Sequence, residues 1–350
     1  MTVESPSWVQ LKRTSLGIGV LGIGEILAVQ FLIFGLGRQL YSWTGLPSPD
    51  QFIFVEDLAT VDFMGAVPYE LATLGLTFGL ALLTAVLVGI IRGRRSRLSY
   101  GLQVRSQGFL RLTGIGILAG SFIWLLPNSL KLVDHYLLDI GPGTGFWVLQ
   151  EQVPWGLGYW LDMAIASFVL IPLAEEFLVR GYVMGRLNES FRPGESILIV
   201  AFIFAFGHGQ YLRADALSIG SLISICINST LLGYLVFRTG SLWPAIVAHA
   251  LVNLPATYPW KLGLLGIFLT LLIVHGRQVS RFARETTAFV RAHTRPGVLL
   301  IALPLPAWLI LAHSEKIPYP EVIDGVCIAL GLASLLVRSA WRTGTSRGIL

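Results

Sequence analysis

The residues with the most chemical potential lie in the stretch Leu173-Ala-Glu-Glu-Phe-Leu-Val-Arg-Gly-Tyr182, which sets two adjacent acids and an arginine inside an otherwise apolar run. A charged side chain at the centre of a membrane helix costs about 2.5–3.5 kcal/mol on insertion scales. Glu175, Glu176 and Arg180 therefore serve either a structural clamp or a reaction. Glu176 and Arg180 are four residues apart, on one helix face, and are placed to neutralise each other. Glu175 lies about 100° round the helix from Glu176 and has no such local partner.

Two further polar stations follow. Phe202-Ile-Phe-Ala-Phe-Gly-His-Gly209 ends a short apolar run at His208, and Ser241-Leu-Trp-Pro-Ala-Ile-Val-Ala-His-Ala-Leu-Val-Asn253 puts His249 and Asn253 on one helical face. At 1.5 Å per residue from the arginine-rich side, Glu175, His208 and Asn253 each come to a depth of ~18 Å and His249 to ~12 Å. Polar groups from three helices thus agree in level within a hydrocarbon core ~30 Å thick.

Carboxylate and imidazole together are equipment for activating water and then protonating a leaving group. A second imidazole and a carboxamide suit a developing oxyanion. No serine or cysteine stands beside these groups in a nucleophile motif, so direct attack by water is expected rather than an acyl-enzyme. Glu175, His208 and His249 also match the donor types of a hydrolytic zinc site, although His-Glu-x-x-His is absent and the spacing does not choose between the two. Two other classes use the same residues. One is a non-catalytic scaffold or peptide-immunity factor that keeps the polar network as structure; the other is a transporter with Glu175 and Glu176 as a relay. No internal repeat of the transporter kind is visible.

The elements that position these groups are membrane helices. The 350 residues are 54% hydrophobic and 13% charged, with mean hydropathy +0.70, about half the charge of a soluble domain. The expected fold is all-α: a polytopic helical bundle with spans at 14–37, 70–91, 109–126, 159–187, 196–208, 217–237, 241–254, 261–275, 297–313 and 322–337. Basic residues gather at the N-terminus (Lys12, Arg13), at 92–111, at 276–296 and in the C-terminal tail, while Asp50, Glu56, Asp57 and Asp62, and then Asp134, Asp139 and Glu151, fall in the loops that alternate with them. Ten spans put all the basic connections and both termini on one side, the cytoplasmic side by the positive-inside rule. The net charge of +5 is then a topology signal, and no nucleic-acid partner is implied. Cys226 and Cys327 lie in apolar runs and imply neither a disulfide framework nor a thiolate site. Gly17, Gly19, Gly22, Gly24, Gly116 and Gly120 are expected where helices approach closely. Asn228, Ser229 and Thr230 are expected in interhelical hydrogen bonds. Glu25 is a lone acid in the first span, and His135, His275, His293 and His313 read as interfacial or surface residues.

Glu175-Glu176-x-x-x-Arg180-Gly181, Phe204-x-x-x-His208 and His249-x-x-x-Asn253 resemble the three motifs of the CAAX-protease and bacteriocin-processing (CPBP, or Abi) family of intramembrane peptidases. Gly240-Ser-Leu-Trp-Pro-Ala-Ile-x-x-His249 is similar to that family's third motif. The resemblance covers 155–256 as a catalytic core, with 1–154 an N-terminal scaffold of three spans plus an interfacial loop and 257–350 a C-terminal extension. It implies that Glu175 with His208 activates water, that His249 with Asn253 forms the oxyanion site, and that Glu176 and Arg180 support them from behind. Where the family often has Phe before the motif arginine, this chain has Val179. The family has been described both as metal-dependent and as a glutamate peptidase, so zinc on Glu175, His208 and His249 stays open. The partners implied are the lipid bilayer and a membrane protein or peptide substrate, with the cavity toward the cytoplasmic leaflet.

Overall fold

The computed structural model describes residues 108–133, 163–208, 216–254 and 258–304, with isolated positions outside them. The spans expected at 14–37, 70–91 and 322–337, most of the one at 297–313, and Glu25 lie wholly or mostly outside the described residues.

Every regular element among the described residues is helical. In chain order they are α1 (Phe109–Val133), α2 (163–187), α3 (Pro193–Phe206), α4 (Ala216–Thr239), α5 (Trp243–Val252), α6 (Tyr258–Val274), α7 (Gly276–Ala292) and α8 (Pro296–Ala302). Two helices, at Phe109–Ser129 and Ile219–Thr239, are long and apolar enough to cross a membrane, and a bent pair, Pro259–Val274 with Gly276–Ala292, makes a third if taken as one span. Their outer faces keep apolar side chains uncovered: Ile219, Ile223 and Ile227 run along one stripe of α4, and Ile267, Ile273 and Val274 along α6. Exposed apolar surface on that scale is tolerated in hydrocarbon and not in water. The chain is an integral membrane protein of helical type.

α5 is shorter than the segment 241–254 expected for it, and neither it nor α3 has the length of a full span. α3 has 14 residues and α5 has 10, where a bilayer requires roughly 20. α3 begins at Pro193 and α5 has Pro244 as its second residue, and a missing N–H costs nothing in a first turn. The second difference is 276–296, read above as an arginine-rich connection. It holds α7, 17 residues long, turned 84° from α6 at His275. Its arginines recur at helical spacing, and a charge count alone does not see that period. Phe282 and Phe289 pack inward against Tyr234 of α4, and Thr286 is buried.

α2 alternates between helix types: Met163–Leu170 and Phe177–Val183 are π-helical, and Ile171–Glu176 and Met184–Leu187 are α-helical. Pro172 gives a local reason for the first π turn, since its ring collides with the carbonyl four residues back in α geometry, and a wider turn relieves that collision.

Glycine sets the closest approaches. α1 and α5 run side by side, and a Cβ on Gly116 would lie 2.7 Å from Val247 Cβ and one on Gly120 2.9 Å from Ala248 Cα. Gly22 faces Arg186, whose guanidinium would be 2.8 Å from an added Cβ. At the α4–α5 turn Gly240 takes φ +66°, which L side chains rarely adopt. Ser241 Oγ then accepts the Trp243 N–H at 3.2 Å, and Trp243 Nε1 donates to Thr113 Oγ1 at 2.8 Å. That sequence of contacts fixes the start of α5, and hence His249 six residues on, against α1.

Glu195 ties the ends of α3 and α8 together. Its buried carboxylate accepts the backbone N–H of Arg192 (2.8 Å), the backbone N–H of Arg295 (3.0 Å), and Arg295 Nε and Nη2 (2.6 and 2.9 Å). Burial acts to raise its pKa, but the hydrogen bonds from Arg295 and Arg192 outweigh it and hold the carboxyl below the ordinary range. The same bond raises Arg295.

Two outcomes follow for purified protein in neutral detergent. Gly120→Val should lower the unfolding midpoint, with a cost of about 1–3 kcal/mol for overpacking, whereas Gly114→Ala, where an added Cβ meets nothing within 4 Å, should not. Glu195→Gln should cost on the order of 2 kcal/mol through lost charged hydrogen bonds. Because the folded carboxyl is depressed, its stabilisation is fully present above the unfolded value of about 4.3 and is lost as the pH falls through the lower folded value. Thermal melts of the two proteins should therefore stay apart at neutral pH and converge below about pH 4.

Candidate active site

The centre of the structure is a buried ion pair. Arg180 Nη1 donates to Glu176 Oε1 at 2.8 Å, with both side chains fully buried. Arg180 Nη2 donates to Ser229 Oγ of α4 at 2.7 Å, and its guanidinium carbon stands 4.8 Å from the centre of the Phe204 ring of α3. One arginine thus bridges three helices.

Glu176 Oε1 also meets His249 Nδ1 of α5 at 2.8 Å. A carboxylate already paired with a guanidinium is an acceptor only, so Nδ1 carries the hydrogen and Nε2 faces the other way. On that side stands Glu175, with Oε2 3.6 Å from His249 Nε2, too long for a hydrogen bond. The two adjacent acids divide cleanly: the Glu176 side chain is 0% exposed and the Glu175 side chain 22%. Glu175 is the carboxylate that water reaches. Glu176 Oε2 and Arg180 Nε are buried with no hydrogen-bond partner in the structure.

His208 follows the last turn of α3, and its Nδ1 is 2.7 Å from the Phe204 carbonyl. A carbonyl only accepts, so Nδ1 is the protonated nitrogen and Nε2 is the basic one in the neutral ring. The Phe204 ring is the hub: its centre lies 4.7 Å from that of His208 and 6.1 Å from that of His249, edge to face in both cases. Asn253 caps α5, with its backbone N–H on the His249 carbonyl at 3.0 Å and its side chain half-buried.

The structure therefore brings Glu175, Glu176, Arg180 and His249 into direct contact or nearly so. His208 joins them through Phe204, and Asn253 stands one helical turn beyond His249. Among the described residues, no three His, Cys, Asp or Glu side chains are gathered to hold a metal ion. With Nδ1 on Glu176, His249 would keep Nε2 for a metal, but His208 reaches Glu175 and His249 only by way of the Phe204 ring, so the three donors do not converge on one point as they are arranged here. Ser229 is a site residue that periodicity did not single out as Arg180's partner. The signal was its place in the polar cluster Asn228-Ser229-Thr230 on an apolar helix. Thr230 bonds back to the Cys226 carbonyl, and Asn228 Oδ1 is buried without a partner. His293 donates to the Phe289 carbonyl at the exposed end of α7, away from this cluster in the chain's fold.

An accessible acid, two imidazoles and a buried ion pair lie together inside a helical membrane protein. Residues 157–255 match the Rce1-like family, described as type II CAAX prenyl endopeptidase Rce1-like. That is the CAAX-protease family which the three motifs resemble. The match takes in α2 to α5, all four helices that carry the cluster, and less than a third of the chain. Neither the curated proteins nor the solved structures contain a match to this chain.

Removing one partner of the buried pair leaves the other charged and unsolvated. Arg180→Met should cost about 3–5 kcal/mol, read as a lower melting temperature and poor recovery from detergent extraction. Glu176→Gln combined with Arg180→Met should recover much of that loss. A single-substitution cost below about 1 kcal/mol would show the pair to be solvated.

Proposed function

We propose that the protein is an intramembrane endopeptidase that hydrolyses a peptide bond of a membrane-associated protein or peptide by water attack. The observation that carries the proposal is Glu175, a carboxylate open to water and facing Nε2 of a histidine whose other nitrogen is held by Glu176. Glu175, with His208 Nε2, takes a proton from water as its oxygen attacks the scissile carbonyl carbon. The carbonyl π pair moves onto oxygen, and His249 through Nε2–H and the Asn253 carboxamide stabilise that oxyanion. With Nδ1–H already on Glu176, an Nε2–H donor belongs to the imidazolium form of the ring. Collapse of the tetrahedral intermediate returns the pair to the carbonyl, breaks the C–N bond and passes the proton from Glu175 to the leaving amine. Arg180 and Ser229 hold Glu176, and Glu176 holds His249.

The family description points to a prenylated C-terminal tail as the substrate class. The site sits in a core of residues 155–256, flanked by an N-terminal scaffold at 1–154 and a C-terminal extension at 257–350. A ten-span topology with both termini cytoplasmic, and a cavity toward that leaflet, is the arrangement that the arginine distribution supports.

A farnesylated CaaX peptide in detergent or nanodiscs, with mass spectrometry of the released tripeptide, tests the reading. Glu175→Gln should fold like the parent and lose cleavage by at least 10²–10⁴-fold in kcat, the usual worth of a general base. His208→Ala should show a comparable loss, and Asn253→Ala a loss of about 10²-fold in kcat. Cleavage by Glu175→Gln at the parental rate would overturn the mechanism. A non-catalytic scaffold would show no cleavage in the parent and would keep its cellular role in the variant.

A further inference from the structure

α7 presents an uninterrupted cationic edge. Arg277, Arg281, Arg284 and Arg291 fall within an arc of about 80° at 100° per residue, all exposed and all opposite the buried Phe282–Thr286–Phe289 face. The helix's one acid, Glu285, is paired with Arg238 of α4 at 2.6 Å and does not neutralise that edge. Between Arg284 and Arg291, two turns apart, the surface dips over Ala288 and Ala292 into a shallow cup of about 760 Å³. Beside it an apolar groove of about 540 Å³ runs between α7 and the membrane helices, along Phe122, Ile227 and Leu231, and it shares Ala283, Thr287 and Arg291 with the cup. Thr294 also lines this groove, and its Oγ1 is buried with no hydrogen-bond partner.

A cationic cup that opens onto an apolar groove fits a molecule with an anionic head and a hydrocarbon tail. The 84° turn from α6, whose exposed face is apolar, lays α7 across the C-terminal half of α4, on Tyr234, Phe237 and Arg238, with its arginines turned outward. We propose that α7, α4 and α1 form a binding site for an anionic phospholipid. Its phosphate sits between Arg284 and Arg291, and an acyl chain lies along Phe122, Ile227 and Leu231. Basic recesses beside membrane helices bind anionic lipid headgroups by this logic, and guanidinium groups suit phosphate. The proposal does not depend on the peptidase reading: α7 and α8 lie outside the matched segment.

The full chain, purified in neutral detergent, is melted with added phosphatidylglycerol, phosphatidylcholine or inorganic phosphate, and native mass spectrometry counts the lipid retained. Phosphatidylglycerol should raise the melting temperature by several degrees through mass action. The other two additives should move it by less than about 1 °C. R284Q/R291Q, both exposed positions, should melt like the parent without lipid and lose most of the phosphatidylglycerol shift. I227W, which fills the groove, should lose it as well and keeps the test open if the double variant folds poorly. An equal shift with phosphatidylcholine, or an unchanged shift in R284Q/R291Q, would overturn the headgroup assignment. An equal effect of inorganic phosphate would make this a soluble-anion site. No shift with any lipid would mean that another part of the chain covers the groove.

Discussion

A guanidinium and a carboxylate fully withdrawn from water must find partners for most of their polar atoms, and that demand shapes the described core; Arg180 Nε and Glu176 Oε2 are the two that go without. Arg180 spends one Nη on Glu176 and the other on Ser229, and lays its plane near the Phe204 ring. Glu176 spends the same oxygen a second time on His249. Desolvating the two ions costs several kcal/mol each, which their mutual attraction offsets only in good geometry. The pair therefore acts less as a source of stability than as a selector: α2, α3, α4 and α5 must all arrive in register, or a charge is stranded.

Register in turn depends on how near the helices come. With little hydrophobic force between helices in lipid, small residues allow backbone approach and close packing supplies the attraction. Gly116 and Gly120 let α1 meet α5, and Gly233 receives the Ile197 side chain of α3. Gly240, Ser241, Trp243 and Pro244 then form a start signal for α5 in which each residue has its own job: left-handed turn, cap, anchor on α1, first-turn proline. Moving that start by one residue would rotate His249 by about 100° and detach it from Glu176.

The parts legible in the sequence are those encoded by local spacing. The four-residue step from Glu176 to Arg180, the close helix contacts at Gly116 and Gly120, and the apolar lengths of α1 and α4 could all be read from the periodic pattern. What could not be read depends on partners distant in the chain or on backbone choices that the pattern does not encode. Ser229 becomes Arg180's acceptor only once α4 packs against α2, 49 residues away. Phe204 stands in the second motif, but what its ring does becomes visible only when it is seen among Arg180, His208 and His249. The π turns of α2 follow from Pro172 and from packing, and hydropathy is blind to both. α7 was hidden because arginine counts as loop in a topology argument, whereas its spacing is that of an amphipathic helix.

The doubled glutamate has a geometric explanation. A single carboxylate on a helix points in one direction and cannot both anchor a buried arginine and face an open cavity. Two adjacent residues diverge by about 100°, so one backbone segment fixed by the clamp supplies a second acid whose direction is set and whose face is wet. Glu176 is held by Arg180 and His249, and Glu175 inherits its placement from that anchoring without sharing the burial. His249 lies between the two, with one nitrogen on the anchored acid and the other toward the accessible one. A carboxylate needed as a base has to be positioned as firmly as a structural ion and yet remain in reach of water. Dividing those requirements between neighbouring residues meets both, because the cost of burial then falls on Glu176 while Glu175 keeps part of its surface accessible.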